Sequence, residues 1–140
     1  MTPDIKSIVE IIRACDAVHL ATFGTNGYPD VRHITNAMNR DITDLSELYF
    51  LTGASTQKYA QLHANNHCAL YYFDANTRHA ARLIGDMELI SDVATIEKHW
   101  RDEFTRFGYG TAAAGEFVLM RFRPKLYKFY VGPEMHSGNI

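Results

Sequence analysis

The sequence predicts a mainly β protein, an antiparallel barrel of six strands that is closed or nearly closed, with helices on its flanks. Three observations predict this fold class. Six segments have the length and apolar alternation of strands, few segments have the period of a helix, and most of the connections are short. An open sandwich of two sheets is the alternative that the same pattern allows.

The size and composition of the chain indicate a single domain of an ordinary soluble protein. Residues 1–140 fit one compact unit, and 46% of them are hydrophobic and 21% charged. No apolar run approaches the roughly 20 residues that a membrane-spanning helix needs, and no secretory signal is visible. The net charge of −2 offers no basic field for nucleic acid. We therefore expect a cytoplasmic protein that binds neither membrane nor nucleic acid.

The N-terminal segments predict a helix followed by a β-hairpin. The helix is expected at residues 3–15 and the two strands at residues 17–23 and 28–38. Isoleucines recur every three or four positions in the first segment, whereas the strands are apolar and flank a turn of Gly, Thr, Asn and Gly. Since side chains alternate along a strand, Arg32 is expected on the same face as Ile34, with His33 on the opposite face.

The middle of the chain predicts a strand, a short helix and a second strand after a polar loop. The loop is expected at residues 39–46 and the three elements at residues 47–52, 56–65 and 67–74. A helix start leaves N–H groups unpaired and carries a partial positive charge, so it can bind a phosphate. Ser55 and Thr56 would add hydroxyls there, and Lys58 a full charge. A simple N-cap without a ligand explains the hydroxyls equally well, so both interpretations stay open.

The remaining segments predict two strands, a helix and a loop. They are expected at residues 78–90, 93–107, 108–115 and 116–131, in the order strand, helix, loop and strand. Gly85 interrupts the first strand, as a bulge or a barrel corner would require. Pro124 is expected to mark a strand edge or a break. Arg78, His79 and Arg82 form a basic cluster, for which we expect a solvated edge strand. The alternative is contact with a cofactor of the other subunit or with an acidic substrate.

Several residue types are expected to have structural roles only. His63 and His67 stand four positions apart, but no third ligand is evident nearby, so we expect no metal site. Cys15 and Cys68 are far apart in sequence and are expected to be buried thiols. No Ser-His-Asp or Cys-His arrangement identifies a catalytic residue.

Two strands are rich in aromatic residues, and this pattern bears on assembly. The aromatic residues are Tyr71, Tyr72, Phe73, Tyr127, Phe129 and Tyr130. Because side chains alternate, each strand must turn some of these rings outward, where a subunit interface would bury them. The pattern therefore predicts a homodimer.

Five short motifs follow one another along the chain with characteristic spacing. They are Leu20-Ala-Thr-Phe-Gly, Pro29-Asp-Val-Arg, Tyr49-Phe-Leu-Thr, Ser55-Thr-Gln-Lys and Leu83-Ile-Gly-Asp-Met-Glu-Leu. Their order resembles the pyridoxamine 5′-phosphate oxidase-like split-barrel family, above all the small single-domain branch that includes bacterial general stress proteins. The resemblance implies a six-stranded antiparallel Greek-key split barrel. It also implies a homodimer that holds two molecules of flavin mononucleotide (FMN), one in each cleft between the subunits.

The resemblance also implies a set of cofactor-binding residues on two strands and one helix start. They are Arg32, His33, Ile34, Thr35, Thr52, Ser55, Thr56 and Lys58. In the family, the residue matching Arg32 meets the phosphate or the ribityl chain, and the three residues after it pass along the ring. The residue matching Thr52 faces the cofactor, and the serine, threonine and lysine of the helix start hold the phosphate.

Two departures from the family pattern limit what the resemblance implies about activity. Gln57 stands where the better-known oxidases have a second basic residue, and residues 131–140 lack a counterpart of the arginine and histidine that hold the vitamin phosphate. We therefore expect an FMN-dependent oxidoreductase that acts on an unidentified small molecule, and no true pyridoxamine 5′-phosphate oxidase activity. The alternatives are a flavin storage or stress protein without turnover, and a barrel that binds a deazaflavin (F420) or haem.

Overall fold

The computed structural model of the protein describes residues 1–102, 104 and 117–140. Within these residues it contains three α-helices, seven strands and one 3-10 turn. In chain order they are α1 (Pro3–Ala14), β1 (Ala17–Phe23), β2 (Pro29–Thr35), the 3-10 turn (Ala37–Asn39), β3 (Leu48–Gly53), α2 (Gln57–Ala64), β4 (His67–Phe73), β5 (Ala80–Ile90), α3 (Val93–His99), β6 (Phe117–Val131) and β7 (Glu134–Asn139). None of the described helices is long and apolar enough to cross a membrane.

The strands form one antiparallel sheet that curves without closing. Its order is β2-β1-β4-β5-β6-β3, and β7 pairs with β6 beside this path. This strand order begins with β2 and ends with β3, so the sheet is split between these two strands. The expectation of a nearly closed antiparallel barrel with flanking helices is confirmed, and the open sandwich is not formed.

The number of strands differs from the prediction, because β7 adds a seventh strand. Its sequence, Glu-Met-His-Ser-Gly-Asn, is polar and has no apolar alternation, so strand patterns do not reveal it. Gly132 adopts a φ of +57° and turns the chain back onto β6. The strand forms because its backbone pairs with β6, and no pattern in its own side chains indicates this pairing.

Helix α1 covers the inner face of the sheet, as its apolar spacing predicts. Ile8, Val9, Ile11 and Ile12 are buried in the main core. The hydroxyl of Thr2 accepts a hydrogen bond of 3.2 Å from the N–H of Ile5 and caps the helix. The inner side chains of the neighbouring strands, such as Leu20, Leu70 and Tyr72, complete this core.

A bulge joins β5 and β6 at the position of Gly85. Ile84 pairs with Leu126 and Gly85 with Pro124, so Lys125 has no partner on β5. A Cβ atom on Gly85 would lie 2.1 Å from the carbonyl oxygen of Arg123, which only glycine avoids. The expected bulge is confirmed. The expected break at Pro124 is not formed, since β6 continues through the proline. The expected edge is confirmed, because β3 pairs with β6 only up to Phe122 and β7 only from Leu126, which leaves one side of β6 open at Pro124.

Helix α3 is shorter than the sequence predicts. It ends at His99, because Trp100 has an extended backbone with φ −69° and ψ 141°. The indole ring packs edge-on against the ring of Phe104, with 5.4 Å between the ring centres. Most of the rest of the predicted helix, the predicted loop at 108–115 and the predicted start of the last strand at 116 lie outside the described residues.

Candidate functional site

The turn between β3 and α2 is built on two threonine hydroxyls. The Thr56 hydroxyl accepts a hydrogen bond of 3.3 Å from the N–H of Tyr59 and donates one of 2.9 Å to the carbonyl of Gly53. The Thr52 hydroxyl lies 3.2 Å from that of Thr56, and it must be the donor, because the single proton of Thr56 is already used. Thr52 is buried beneath the turn. Thr56 is therefore an N-cap, and neither hydroxyl has a proton left for a ligand.

Unused donors remain at the same helix start. The N–H groups of Gln57 and Lys58 have no hydrogen-bond partner among the described residues, as expected for the first two positions of a helix. The Ser55 side chain is exposed, and its hydroxyl likewise makes no hydrogen bond within the described part of the chain. Three free donors thus lie within four consecutive residues.

Lys58 adds an uncompensated positive charge to these donors. Its side chain is partly buried and forms no ion pair with any described residue. Burial lowers the pKa of the Lys58 ammonium, and the positive charge of Arg32 lowers it further. The two cations are therefore close enough to repel each other. An anion placed beside them would be stabilised by both.

Arg32 lies on the inner face of β2, as the alternation predicts, and its guanidinium is held from several sides. One terminal nitrogen donates to the carbonyl of Leu20 at 3.1 Å and to the hydroxyl of Thr22 at 2.8 Å. The other donates to the side-chain oxygen of Gln61 at 2.7 Å and forms an ion pair with Asp30 at 2.9 Å. Its terminal N–H groups are thus already used inside the protein.

Gln61 is the residue of this site that the sequence analysis missed. It is 2% exposed, and its amide nitrogen donates to Asp30 at 3.0 Å while its oxygen accepts from Arg32 and Thr22. These contacts join α2 to the β1–β2 hairpin. The one available signal is its place on α2, a single turn after Lys58 and on the same side of the helix.

The other residues expected on β2 occupy different environments. Ile34 is buried in the main core, and His33 is exposed on the outer face of the sheet. The Thr35 hydroxyl accepts a hydrogen bond of 3.3 Å from the N–H of Ala37. Because β2 ends the sheet, alternate backbone N–H and C=O groups along its outer edge have no partner strand. Those groups could bind a ligand.

A small cleft lies between the β1–β2 hairpin and α2. Its volume is about 190 Å³, and it is lined by Thr25, Asn26, Pro29, Asp30, Gln57 and Gln61. Ligand sites of proteins usually measure about 300–1,000 Å³. This cleft is therefore smaller than a typical pocket for a ligand as large as a nucleotide.

Comparison with known proteins places the chain in a family. The family model described as pyridoxamine 5′-phosphate oxidase matches residues 5–130. The chain belongs to the pyridoxamine 5′-phosphate oxidase family. All five motifs that suggested the resemblance fall within the matched residues. A comparison with curated protein sequences gives no significant match.

Solved structures share the fold of this family member over nearly its whole length. A protein of Clostridium acetobutylicum related to general stress protein 26 superposes with a TM-score of 0.84 at 22% identity, covering 96% of this chain and 92% of the other. An FMN-binding, pyridoxamine 5′-phosphate oxidase-related protein of Nostoc punctiforme gives 0.72 at 17% identity, covering 100% and 97%. An F420 reductase gives 0.66 at 21% identity, covering 91% and 98%. These similarities show the split-barrel fold.

The C-terminal residues have a structural role. His136 on β7 bonds through one ring nitrogen to Asp4 at 2.9 Å and through the other to Glu134 at 3.2 Å. The Tyr127 hydroxyl donates to the second oxygen of Asp4 at 3.0 Å. The one histidine of this tail thus holds β7 against the start of α1.

Proposed function

We propose that the protein binds FMN, with the phosphate at the start of α2, and uses it as an oxidoreductase acting on a small molecule. The observation that carries the proposal is the unpaired, partly buried ammonium of Lys58, which lies near Arg32 and beside the free N–H groups of α2. Family membership and the FMN-binding relative of Nostoc punctiforme support this choice of ligand.

The residues of the helix start divide into those that would touch the phosphate and those that position them. Lys58, the Ser55 hydroxyl and the first two N–H groups of α2 would donate directly. Thr52 and Thr56 would hold the turn, since their protons are used internally. A charge-assisted hydrogen bond contributes about 1.5–3 kcal/mol. The neutral Gln57 would leave the phosphate one such contact fewer than in the better-known oxidases.

Arg32 would act on the phosphate mainly through its charge. Its terminal N–H groups are bound to Leu20, Thr22, Gln61 and Asp30, so direct contact would require one of these partners to be exchanged. The Asp30 carboxylate at 2.9 Å offsets part of this charge, and the fixed network holds the remainder near Lys58. Such a charge needs no rearrangement when an anion arrives.

The edge of β2 would hold the ring of the cofactor. Backbone groups of His33, Ile34 and Thr35 on this open edge can bind the polar rim of a flavin. Bound FMN would supply the electron transfer itself. N–H donors at the rim would stabilise negative charge gained on reduction, so no dedicated acid or base is required of the chain.

We further propose that a second copy of the chain completes the pocket. The outer face of the sheet exposes large apolar side chains, namely Phe23, Val31, Tyr71, Phe73, Ile84 and Leu126. An apolar face of this kind is typical of a subunit interface. The cleft of about 190 Å³ beside α2 is also too small for FMN alone, and a partner subunit would enlarge it.

Spectroscopy of the purified protein tests the function. We expect added FMN to bind and to show the absorbance of a protein-bound oxidised flavin, which a reduced nicotinamide then bleaches. A bound flavin that reduced nicotinamide fails to bleach, and for which no acceptor is found, would favour flavin storage. Binding of a deazaflavin or of haem in preference to FMN would contradict the ligand; an F420 reductase and a haem-binding protein of Mycobacterium smegmatis share this fold. A protein that ignores all three would contradict the proposal itself.

A further inference from the structure

The proposed FMN site has an acidic neighbour on β2. Asp30 lies two residues before Arg32 and, by alternation, on the same inner side of the strand, whereas Val31 faces outward. At about 3.3 Å per residue, its Cα atom lies about 7 Å farther than that of Arg32 from residues 33–35, which are proposed to hold the flavin ring. The order along β2 would therefore be ring, phosphate and then Asp30.

The Asp30 carboxylate is held in place and stays ionised. Its Oδ1 atom accepts a hydrogen bond of 2.9 Å from the N–H of Val31. Its Oδ2 atom accepts one of 3.0 Å from the Gln61 amide and lies 2.9 Å from the Arg32 guanidinium. The hydrogen bond from Gln61 lowers the pKa of Asp30 below its usual 3.8, and the charge of Arg32 lowers it further. The side chain is nevertheless 39% exposed, so its negative charge can act on a ligand.

Asp30 lines the cleft of about 190 Å³ between the β1–β2 hairpin and α2. Gln57, whose N–H is one of the proposed phosphate donors, lines the same cleft, so the cleft opens beside the proposed phosphate position. The other lining residues are Thr25, Asn26, Pro29 and Gln61. Among the six lining residues, Asp30 alone carries a charge.

The charge of this cleft is unfavourable for a second phosphate. Such a group would find no basic side chain among the lining residues and would face the Asp30 carboxylate, and two like charges a few ångströms apart repel each other. FMN ends at its single phosphate, whereas flavin adenine dinucleotide (FAD) continues through a second phosphate to adenosine. The two flavins therefore differ in the part that would enter the cleft.

We propose that Asp30 is a specificity-determining residue, which restricts the site to flavins that end in a single phosphate and excludes FAD. The inference rests on the proposed FMN function and deepens it, because the start of α2 attracts one phosphate and Asp30 repels the next. Asp30 also competes with a bound phosphate for the charge of Arg32. Replacing Asp30 by a neutral residue of the same shape should therefore strengthen the binding of phosphorylated flavins.

Calorimetric titrations of riboflavin, FMN and FAD into the wild type and Asp30→Asn test the proposal. The matched control is Asp44→Asn, because Asp44 also accepts a backbone N–H, that of Ser46, but precedes β3 and so lies at the end of this strand away from α2. We expect the wild type to bind FMN about tenfold or more tightly than FAD, and Asp30→Asn to tighten FAD binding by about tenfold. FMN should gain less than FAD, riboflavin binding should stay unchanged, and the control should resemble the wild type.

The three flavins separate this inference from the proposed function. If FMN and FAD bind the wild type equally and both bind more tightly than riboflavin, the phosphate site at α2 stands and the role of Asp30 is contradicted. If FMN binds no more tightly than riboflavin, the phosphate site itself is wrong and the inference is contradicted with it. A purely structural role of Asp30 predicts that Asp30→Asn weakens all three flavins together, and that result also contradicts the proposal.

A second variant tests the same charge from the opposite direction. Asn26→Asp adds an acid to the cleft at the hairpin turn, with a side chain of the same shape. It should weaken FAD binding by about tenfold and FMN binding less, because the added charge faces the second phosphate. If Asp30→Asn does not fold, this variant decides, and an unchanged ratio of FMN to FAD affinity contradicts the proposal.

Discussion

Gln61 shows how a single buried side chain can connect two elements of the fold. Its amide group bonds to Arg32, Thr22 and Asp30, and so it joins α2 to the hairpin that carries the proposed cofactor strand. A buried amide held by three hydrogen bonds stabilises the fold only as long as its partners stay.

Replacing Gln61 by leucine should therefore destabilise the protein. The change leaves the Arg32 guanidinium and the Asp30 carboxylate each without one partner. It also leaves the buried Thr22 hydroxyl without its acceptor, and an unsatisfied buried group costs about 1–3 kcal/mol. Urea denaturation measures the loss in the free energy of unfolding. Gln57→Leu, an exposed change on the same helix, is the control and should cost little. Equal stability of the two variants would show that the network contributes nothing.

Sequence reasoning identified the residues of the helix start more easily than their roles. Ser55, Thr56 and Lys58 stand out as a motif, but the sequence cannot show that the Thr56 proton is given to Gly53. The burial of Gln61 depends on Arg32, which is 29 positions away, so no local pattern predicts it. Hydrogen-bond partners are set by tertiary contacts, whereas residue types and spacing are visible in the sequence.

At the scale of the elements, the β5–β6 bulge shows a strand irregularity that the sequence does reveal. Because Gly85 has no side chain, its backbone can lie close to the carbonyl of Arg123. Its cross-strand partner, Pro124, has no N–H to donate. We expect Gly85→Ala to lower the free energy of unfolding by about 1–3 kcal/mol or more, because the added methyl group overlaps backbone atoms. Gly53→Ala is the control, since its nearest contact would be an ordinary 3.5 Å. Thermal unfolding of both variants is the measurement, and similar melting temperatures would contradict this account of the bulge.

The contact between β7 and α1 should make stability depend on pH. The hydrogen bond that His136 makes to the Asp4 carboxylate raises the pKa of His136 above its usual 6.5, and the bond to Glu134 raises it further. The same hydrogen bond lowers the pKa of Asp4 below its usual 3.8. The stabilisation from His136 is complete below about pH 6.5 and is lost as the pH rises through the raised pKa. The part from Asp4 is present above pH 3.8 and is lost as the pH falls through the lowered pKa.

A double-mutant cycle with His136→Gln and Asp4→Asn measures this contact. The coupling between the two changes should be largest between about pH 4 and 6.5 and should fall at higher pH. Coupling that is constant from acid to alkaline pH would mean that the charged pair does not form.

β7 itself was not predicted, because a polar strand at the margin of a sheet has no apolar periodicity.

At the scale of the whole molecule, we propose that two copies of the chain associate through the outer face of the sheet. Val31 is 62% exposed on this apolar face, on the terminal strand β2, so we expect Val31→Glu to convert a dimer into monomers by placing an unpaired charge in the interface. Val93→Glu is the matched control, because Val93 is 40% exposed on α3. Sedimentation analysis gives the masses. A Val31→Glu protein that remains dimeric would exclude this face as the interface.

The overall fold was largely predictable, because its evidence is spread along the chain. Six strands, the start of each helix and the Gly85 bulge follow from apolar periodicity and turn residues, and the order of five motifs indicated the family that the matched residues 5–130 confirm. The position of a strand within the sheet was not predictable. Arg82 therefore looked like an edge residue, although β5 has a partner on either side.

The central claim is that the start of α2 binds the phosphate of FMN. It is tested most directly by titrating FMN and riboflavin, which lacks the phosphate, into the wild type, Lys58→Ala and the exposed-lysine control Lys98→Ala. We expect Lys58→Ala to weaken FMN binding by about tenfold or more and to leave riboflavin binding unchanged, with the control like the wild type. If Lys58→Ala binds FMN as tightly as the wild type, or loses riboflavin and FMN equally, the phosphate does not lie at this helix start.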